Sequence, residues 1–422
     1  MNRTRHHPQV FTLPNGLRAV ALPMPWRQTV SLSVFVRTGS QHESRRLNGI
    51  SHVVEHMAFK GTASRDNQRI NLDAERLGAE VNAHTDKDHT AFHIEGLPAD
   101  LPAFVELLAD IVLNSSFPAE ELERERQVIL QEFTEFDEDP SSAAFRLFDR
   151  ACYGSHSAGQ PVIGSRSNLE RFTREDLLGY VAQQYSAVNV VVAVAGPVQP
   201  RVFARNVEAH FGAMATGAAN TVAPPTWLGG LKARRLPGSS QCHSVIGFEA
   251  PPLDDDRHIV HVLAAALLGE GMSSPLLDEI RERRGLAYYV GCSADVLPLA
   301  GQFVIEAATS PQQTAELLEA VAQLLDDHAA RTDRVALERA RKQLAVRALR
   351  ALEQPARRIE AAAQDLFTFG RLRDTQEWLQ RVQAVTPQQL RRAFGRMRDS
   401  RAAVALAGSV PAQARERAEA LF

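Results

Sequence analysis

Apolar and polar positions alternate at the start of the chain and then change to a helical period. VFTLPNGLRAVAL, from Val10, carries Asn15-Gly16 between two strand-like runs, which predicts a hairpin. VSLSVFV, from Val30 to Val36, alternates as a strand does. Asn48-Gly49 then opens an apolar-spaced run through Phe59 that Lys60-Gly61 closes, and Ser64 or Asp66 can cap a second helix reaching Leu77-Gly78. Two strand-like stretches follow, Glu80 to His84 and His89 to Glu95, and after them two helices, Pro98 to Leu113 and Pro118 to about Phe136.

The same order recurs further on. Phe92-His93-Ile94-Glu95 before a helix resembles Phe303-Val304-Ile305-Glu306 before TAELLEAVAQLL, and LERERQVIL from Leu122 resembles LERARKQLA from Leu337. TREDLLGYV from Thr173 resembles TPQQLRRAF from Thr386, so the three offsets are 211, 215 and 213. An internal duplication explains this common register. The expected fold class is α+β: two homologous α/β-roll domains, each a mixed sheet with packed helices. The stretch rich in Ala, Gly, Pro and Ser between the copies predicts domains at 1–211 and 241–422 joined by a linker at 212–240.

Composition narrows the function classes. A length of 422 residues exceeds a single core, and 44% hydrophobic with 23% charged residues is ordinary for a globular protein. A formal net charge of -3 offers no broad field for nucleic acid or anionic lipid, so neither is expected as a partner. No apolar segment of signal-peptide or membrane-spanning length is visible, which gives a cytoplasmic expectation. Cys152, Cys242 and Cys292 have no CxxC spacing and read as reduced thiols.

The chemistry concentrates in His52-Val53-Val54-Glu55-His56. Imidazoles four apart share one helix face and can converge on one ion, with Glu55 at the rim of that face. This is the inverted order of the HExxH zinc motif. On the helix from Pro118, Glu125 and Glu132 are seven apart and share a stripe with Val128 and Ile129; the alternative is a pair of solvated glutamates reaching water from the stripe's edge. The repeat weighs against a purely structural role, because Ala340 and Arg347 match Glu125 and Glu132, and aligning His52 with His261 puts Ala264 and Ala265 opposite Glu55 and His56. Histidines 42, 84, 89 and 93 have no helical spacing and read as surface or strand polar residues.

GISHVVEHMAFKGT, from Gly49, resembles the metal helix of the pitrilysin/insulinase family of inverted-motif zinc peptidases, particularly the half-length bacterial members and the β subunit of mitochondrial processing peptidase. Ser51 stands where many relatives have Ala, a change expected to be harmless. The resemblance implies one zinc ion per chain on His52, His56 and Glu132, with Glu55 as the general base and Glu125 supporting catalysis. NAHTDKDHTAFHIEGL, from Asn82, is similar to the edge strand that aligns substrate backbone in relatives, which implies substrate contacts at Asn82 and Ala83. GEGMSSPLLDEIRERRGLAYYV, from Gly269, resembles the segment carrying a substrate-binding Arg and Tyr, here Arg281 and Tyr288. The function implied is a zinc endopeptidase acting on peptides or unfolded segments in a chamber formed by two chains, with a homodimer as the expected assembly and a heterodimer with a related subunit as the alternative. The first rival is a core subunit of a respiratory complex that keeps the fold without the metal; the second is a zinc hydrolase of non-peptide esters or amides.

Overall fold

The strand runs seen in the sequence become two mixed sheets. A computed structural model describes residues 7–422. The first sheet contains β1 (Gln9–Thr12), β2 (Arg18–Pro23), β3 (Val30–Val36), β4 (Glu80–Thr85), β5 (Thr90–Gly96) and β6 (Val190–Gly196), in the order β1-β2-β6-β3-β5-β4. The expected hairpin is present: Gln9 to Thr12 pair antiparallel with Ala21 to Arg18, and Gly16 turns the chain at φ +90°, a conformation that glycine reaches without a Cβ clash. The second sheet contains β7 (Gly230–Arg235), β8 (Cys242–Ala250), β9 (Ala287–Val296), β10 (Gly301–Thr309) and β11 (Ala403–Gly408), in the order β7-β11-β8-β10-β9.

With β1 set aside, the two orders are the same. Each has one parallel pair, β2 with β6 and β7 with β11, and antiparallel pairing elsewhere. The internal duplication is therefore a duplication of topology. One part of the expected linker is not a linker, since residues 230–235 form β7 and bond along the whole length of β11.

Two compact units contain these sheets, and neither is one continuous stretch of chain. Among the described residues, the first comprises 7–133, 161–222 and 350–372; the second comprises 134–160, 223–349 and 373–422. The partition at 212–240 thus leaves out an exchange of helices, which packing explains. β6 is buried along its full length because both faces of the first sheet are covered. Val190, Val192 and Val194 face the core that holds the Ile50–Ala58 and Leu101–Asn114 helices, whereas Val191, Ala193 and Ala195 face Ile359, Ala362, Ala363 and Leu366 of the Pro355–Phe369 helix. In the second unit, Ala403, Ala405 and Ala407 of β11 pack on Ala143, Ala144, Phe148 and Ala151 of the Pro140–Tyr153 helix. Alanines on both partners let each helix lie close to its sheet.

No helix among the described residues is long and apolar enough to cross a membrane. No disulfide joins cysteines among the described residues, and Cys152 and Cys242 are buried.

Candidate metal centre

The Ile50–Ala58 helix starts without a capping side chain at Gly49, which adopts φ +101° in close approach to Gly164. Its first amides are satisfied from upstream. The buried carboxylate of Glu43 accepts from the Gly49 and Ser51 N–H groups, each at 2.8 Å, and from Asn48 Nδ2 at 3.0 Å. A carboxylate here meets both the unpaired amides and the positive end of the helix dipole. Ser51 is also tied down, since its hydroxyl lies 2.7 Å from that of Tyr180, which lies 2.7 Å from Thr38 Oγ1. The helix that carries the motif is therefore clamped at its base by groups that a motif search does not see.

From that base His52 and His56 point to one place. Their Nε2 atoms are 3.1 Å apart, and Glu132 Oε2 on the Ala119–Glu138 helix lies 3.7 Å from the first and 3.5 Å from the second. Ligands at the corners of a zinc tetrahedron stand roughly 3.3 Å apart, so these separations fit that ion. The group also has the donor types that a divalent cation needs, two imidazoles and one carboxylate, with no lysine or arginine among the three. His56 Nδ1 is 2.9 Å from Glu125 Oε1, which turns Nε2 towards His52 and Glu132. Glu125 Oε2 in turn meets Lys60 Nζ at 2.6 Å. His52 Nδ1 is buried with no hydrogen-bond partner among the described residues.

Electrostatics distinguish the two rings. Burial opposes protonation of His56, but its bonds to Glu125 and Glu132 prevail and raise its pKa; burial and the nearby His56 lower that of His52. Desolvation raises the pKa of Glu55, while Thr85 Oγ1, donating at 2.7 Å to Glu55 Oε2, works the other way.

The structure assembles His52, Glu55, His56, Glu125 and Glu132 as one cluster in the first unit. Glu125 is buried and doubly paired, so the solvated-glutamate alternative does not describe it. Val128 corrects the expected stripe: it is 52% exposed, and the buried positions beside Glu125 are Leu122 and Ile129. Asn82 and Ala83 lie on β4, at one edge of the sheet, where the Ala83 N–H donates to Asn82 Oδ1 at 2.8 Å. Arg281 and Tyr288 belong to the second unit. The guanidinium of Arg281 sits 4.9 Å from the centre of the Tyr288 ring, Tyr288 is 83% exposed, and Arg281 falls within a single π-helical turn, Asp278–Arg283. In the second unit the helix matching the motif, His258–Gly269, buries Ala264 and Ala265 where the first has Glu55 and His56.

Sequence reasoning missed Glu43, which meets the N-terminus of its own following helix, and Lys60, Thr85 and Tyr180, whose partners Glu125, Glu55 and Ser51 lie far along the chain. It also missed a second convergence, of His84, Asp86 and His89. Its signal was available in HTDKDH, because a four-residue turn that pairs Thr85 with Thr90 leaves His84 and His89 as diagonal neighbours across it.

A duplicated mixed sheet with an HxxEH helix in one copy only defines the class of inverted-motif metallopeptidases. Residues 19–166 match the insulinase domain of peptidase family M16, and residues 171–344 match the peptidase M16 inactive domain, so the chain belongs to peptidase family M16. It is 33% identical over 399 residues to a Mycobacterium tuberculosis protein named as an uncharacterized zinc protease, covering 91% of this chain and 89% of that one. YmxG of Bacillus subtilis, also named as an uncharacterized zinc protease, is 32% identical over 316 residues, covering 75% and 77% respectively. Among solved structures, a protease from Helicobacter pylori superposes with a TM-score of 0.89 at 22% identity, over 95% of this chain and 99% of that one. A chain of Complex III2 from Candida albicans shares the fold with a TM-score of 0.85 at 16% identity, over 97% and 99%.

Proposed function

We propose that the protein is a zinc-dependent endopeptidase that hydrolyses extended peptides or unfolded segments. The observation that carries this reading is the convergence of His52 Nε2, His56 Nε2 and Glu132 Oε2 beside the carboxylate of Glu55. Zinc held by His52, His56 and Glu132 would supply Lewis acidity, polarising a carbonyl and making water more acidic. Glu55 takes a proton from the attacking water and returns it to the leaving amine. Thr85 anchors one of its oxygens and leaves the other for the reaction. Glu125 positions the His56 ring.

Thr85 ends β4, so the base sits beside an edge strand. An added peptide strand would pair with main chain at Asn82 and Ala83, which favours extended substrates and reads side chains weakly. Arg281 and Tyr288 are the proposed carbonyl and substrate contacts. Because one chain carries both the HxxEH set and the Arg-Tyr set, the reading extends to a pair of chains, in which each zinc is served by the other chain's Arg281 and Tyr288.

The test is zinc content together with cleavage of a peptide library followed by mass spectrometry. Wild-type protein should hold zinc and cut; Glu55→Gln should keep the zinc and lose nearly all turnover. An active Glu55→Gln protein removes Glu55 as the base. A wild-type protein that binds no zinc and cuts nothing favours a metal-free role of the respiratory-complex type.

A further inference from the structure

A second set of metal donors lies at the turn between β4 and β5. The strands pair up to Thr85 and Thr90, and Asp86, Lys87, Asp88 and His89 form the turn, closed by the Asp86 N–H to the His89 carbonyl at 2.8 Å. This brings His84, the last but one residue of β4, against His89. Their Nε2 atoms stand 3.3 Å apart, about the spacing of two nitrogens on one zinc tetrahedron. A carboxylate oxygen of Asp86 joins them, all three donor atoms lying within 4.8 Å of one another.

Three further features suit an ion there. His89 Nδ1 lies 2.9 Å from the carboxylate of Asp88, which fixes that ring with Nε2 turned towards His84, the arrangement that supports histidine ligands generally. The His89 ring packs on buried Phe35 at 5.7 Å between centroids, so its orientation is set before any ion arrives. The turn is held from outside as well, because the Ser40 and Gln41 N–H groups donate to the carbonyls of Asp86 and Lys87 at 3.3 and 2.9 Å.

We propose that His84, Asp86 and His89 form a second binding site for a divalent transition metal, separate from the group on His52, His56 and Glu132. Two imidazoles and one carboxylate, without thiolate, suit zinc, cobalt or nickel. Three protein ligands leave room for water. Thr85, between two of the ligands, donates to Glu55, so an ion here fixes the turn that holds that donor. The site stands whether or not the first group carries zinc.

The experiment is equilibrium dialysis against Zn2+ and visible spectroscopy with Co2+, using the full chain with His52→Ala and His56→Ala to remove the first group. One equivalent should remain bound, with a cobalt spectrum of nitrogen and oxygen ligation, and adding His84→Asn and His89→Asn should abolish it. A parallel measurement uses the wild-type protein: modification of histidines by diethyl pyrocarbonate, mapped by mass spectrometry, should show His84 and His89 protected by Zn2+. Absence of binding in the first-group variant, binding that survives the His84→Asn/His89→Asn change, or unprotected His84 and His89 in wild-type protein at saturating Zn2+ would each overturn the site. Failure of the first group alone leaves a protein with one equivalent, on His84 and His89, and so is distinguished from failure of this proposal.

Discussion

Glu125 Oε1 lies 2.9 Å from His56 Nδ1, and the other oxygen of the same carboxylate lies 2.6 Å from Lys60 Nζ. One buried glutamate thus sets the orientation of a ring whose far nitrogen faces His52 and Glu132. Glu125→Ala should lower zinc affinity or turnover by ~10 to 100-fold, the usual effect of losing such an orienting partner. Glu125→Gln should lose less, since its amide oxygen still accepts from Nδ1. Zinc affinity by competition with a chromophoric chelator checks both, and wild-type affinity and turnover in Glu125→Ala would deny the positioning role.

His56→Ala and Glu132→Ala should lose metal and activity together, because two remaining donors make a weak site. Metal content after dialysis reads this directly, taken on the His84→Asn/His89→Asn background so that the two groups are counted separately. Full-affinity zinc binding in Glu132→Ala would mean that the third donor is another residue.

Ser51→Ala should lower stability by about 1 kcal/mol, the net value of a typical hydrogen bond, since the buried Tyr180 hydroxyl keeps only Thr38 as a partner. Chemical denaturation measures the change. The resemblance suggested that Ser51 was interchangeable with Ala, and an unchanged midpoint would restore that view.

Asp137 gives a pH signature in the second unit. Arg234 bonds both its oxygens, at 3.0 and 2.8 Å, and with Arg146 brings its pKa from 3.8 down to about 2. A folded pKa below the unfolded one means that this contribution is complete above about pH 4 and is lost as pH falls towards 2. Melting temperature should therefore fall less steeply between pH 4 and 2 in Asp137→Asn than in wild type, from a lower starting value. Identical slopes would show that Asp137 is not linked to folding.

Mixing Glu55→Gln protein with Arg281→Ala protein tests the proposed two-chain site. If each is nearly inactive alone, random exchange makes half of the dimers mixed, each with one intact pairing, and roughly a quarter of wild-type activity should return. Exchange verified by tags without recovery would place Arg281 outside the active chamber or build the site within one chain.

The sequence alone determined the elements that depend on near neighbours. The Asn15-Gly16 hairpin, the strand at Val30–Val36, the helix bearing His52 and His56, and the duplicated order of elements are all legible because turn residues and hydrophobic period act over a few positions. Helical spacing likewise put His52 beside His56 and Glu125 in line with Glu132. Tertiary structure alone decided where distant parts meet. An amphipathic helix records that one face will be buried and not which sheet will bury it, so the crossing of residues 134–160 into the second unit and 350–372 into the first has no local trace. For the same reason Glu43 under the metal helix, Tyr180 on Ser51 and Thr85 on Glu55 became visible only once the chain had folded, since each pairs polar groups that burial forbids to remain alone and that lie 8, 129 and 30 residues apart.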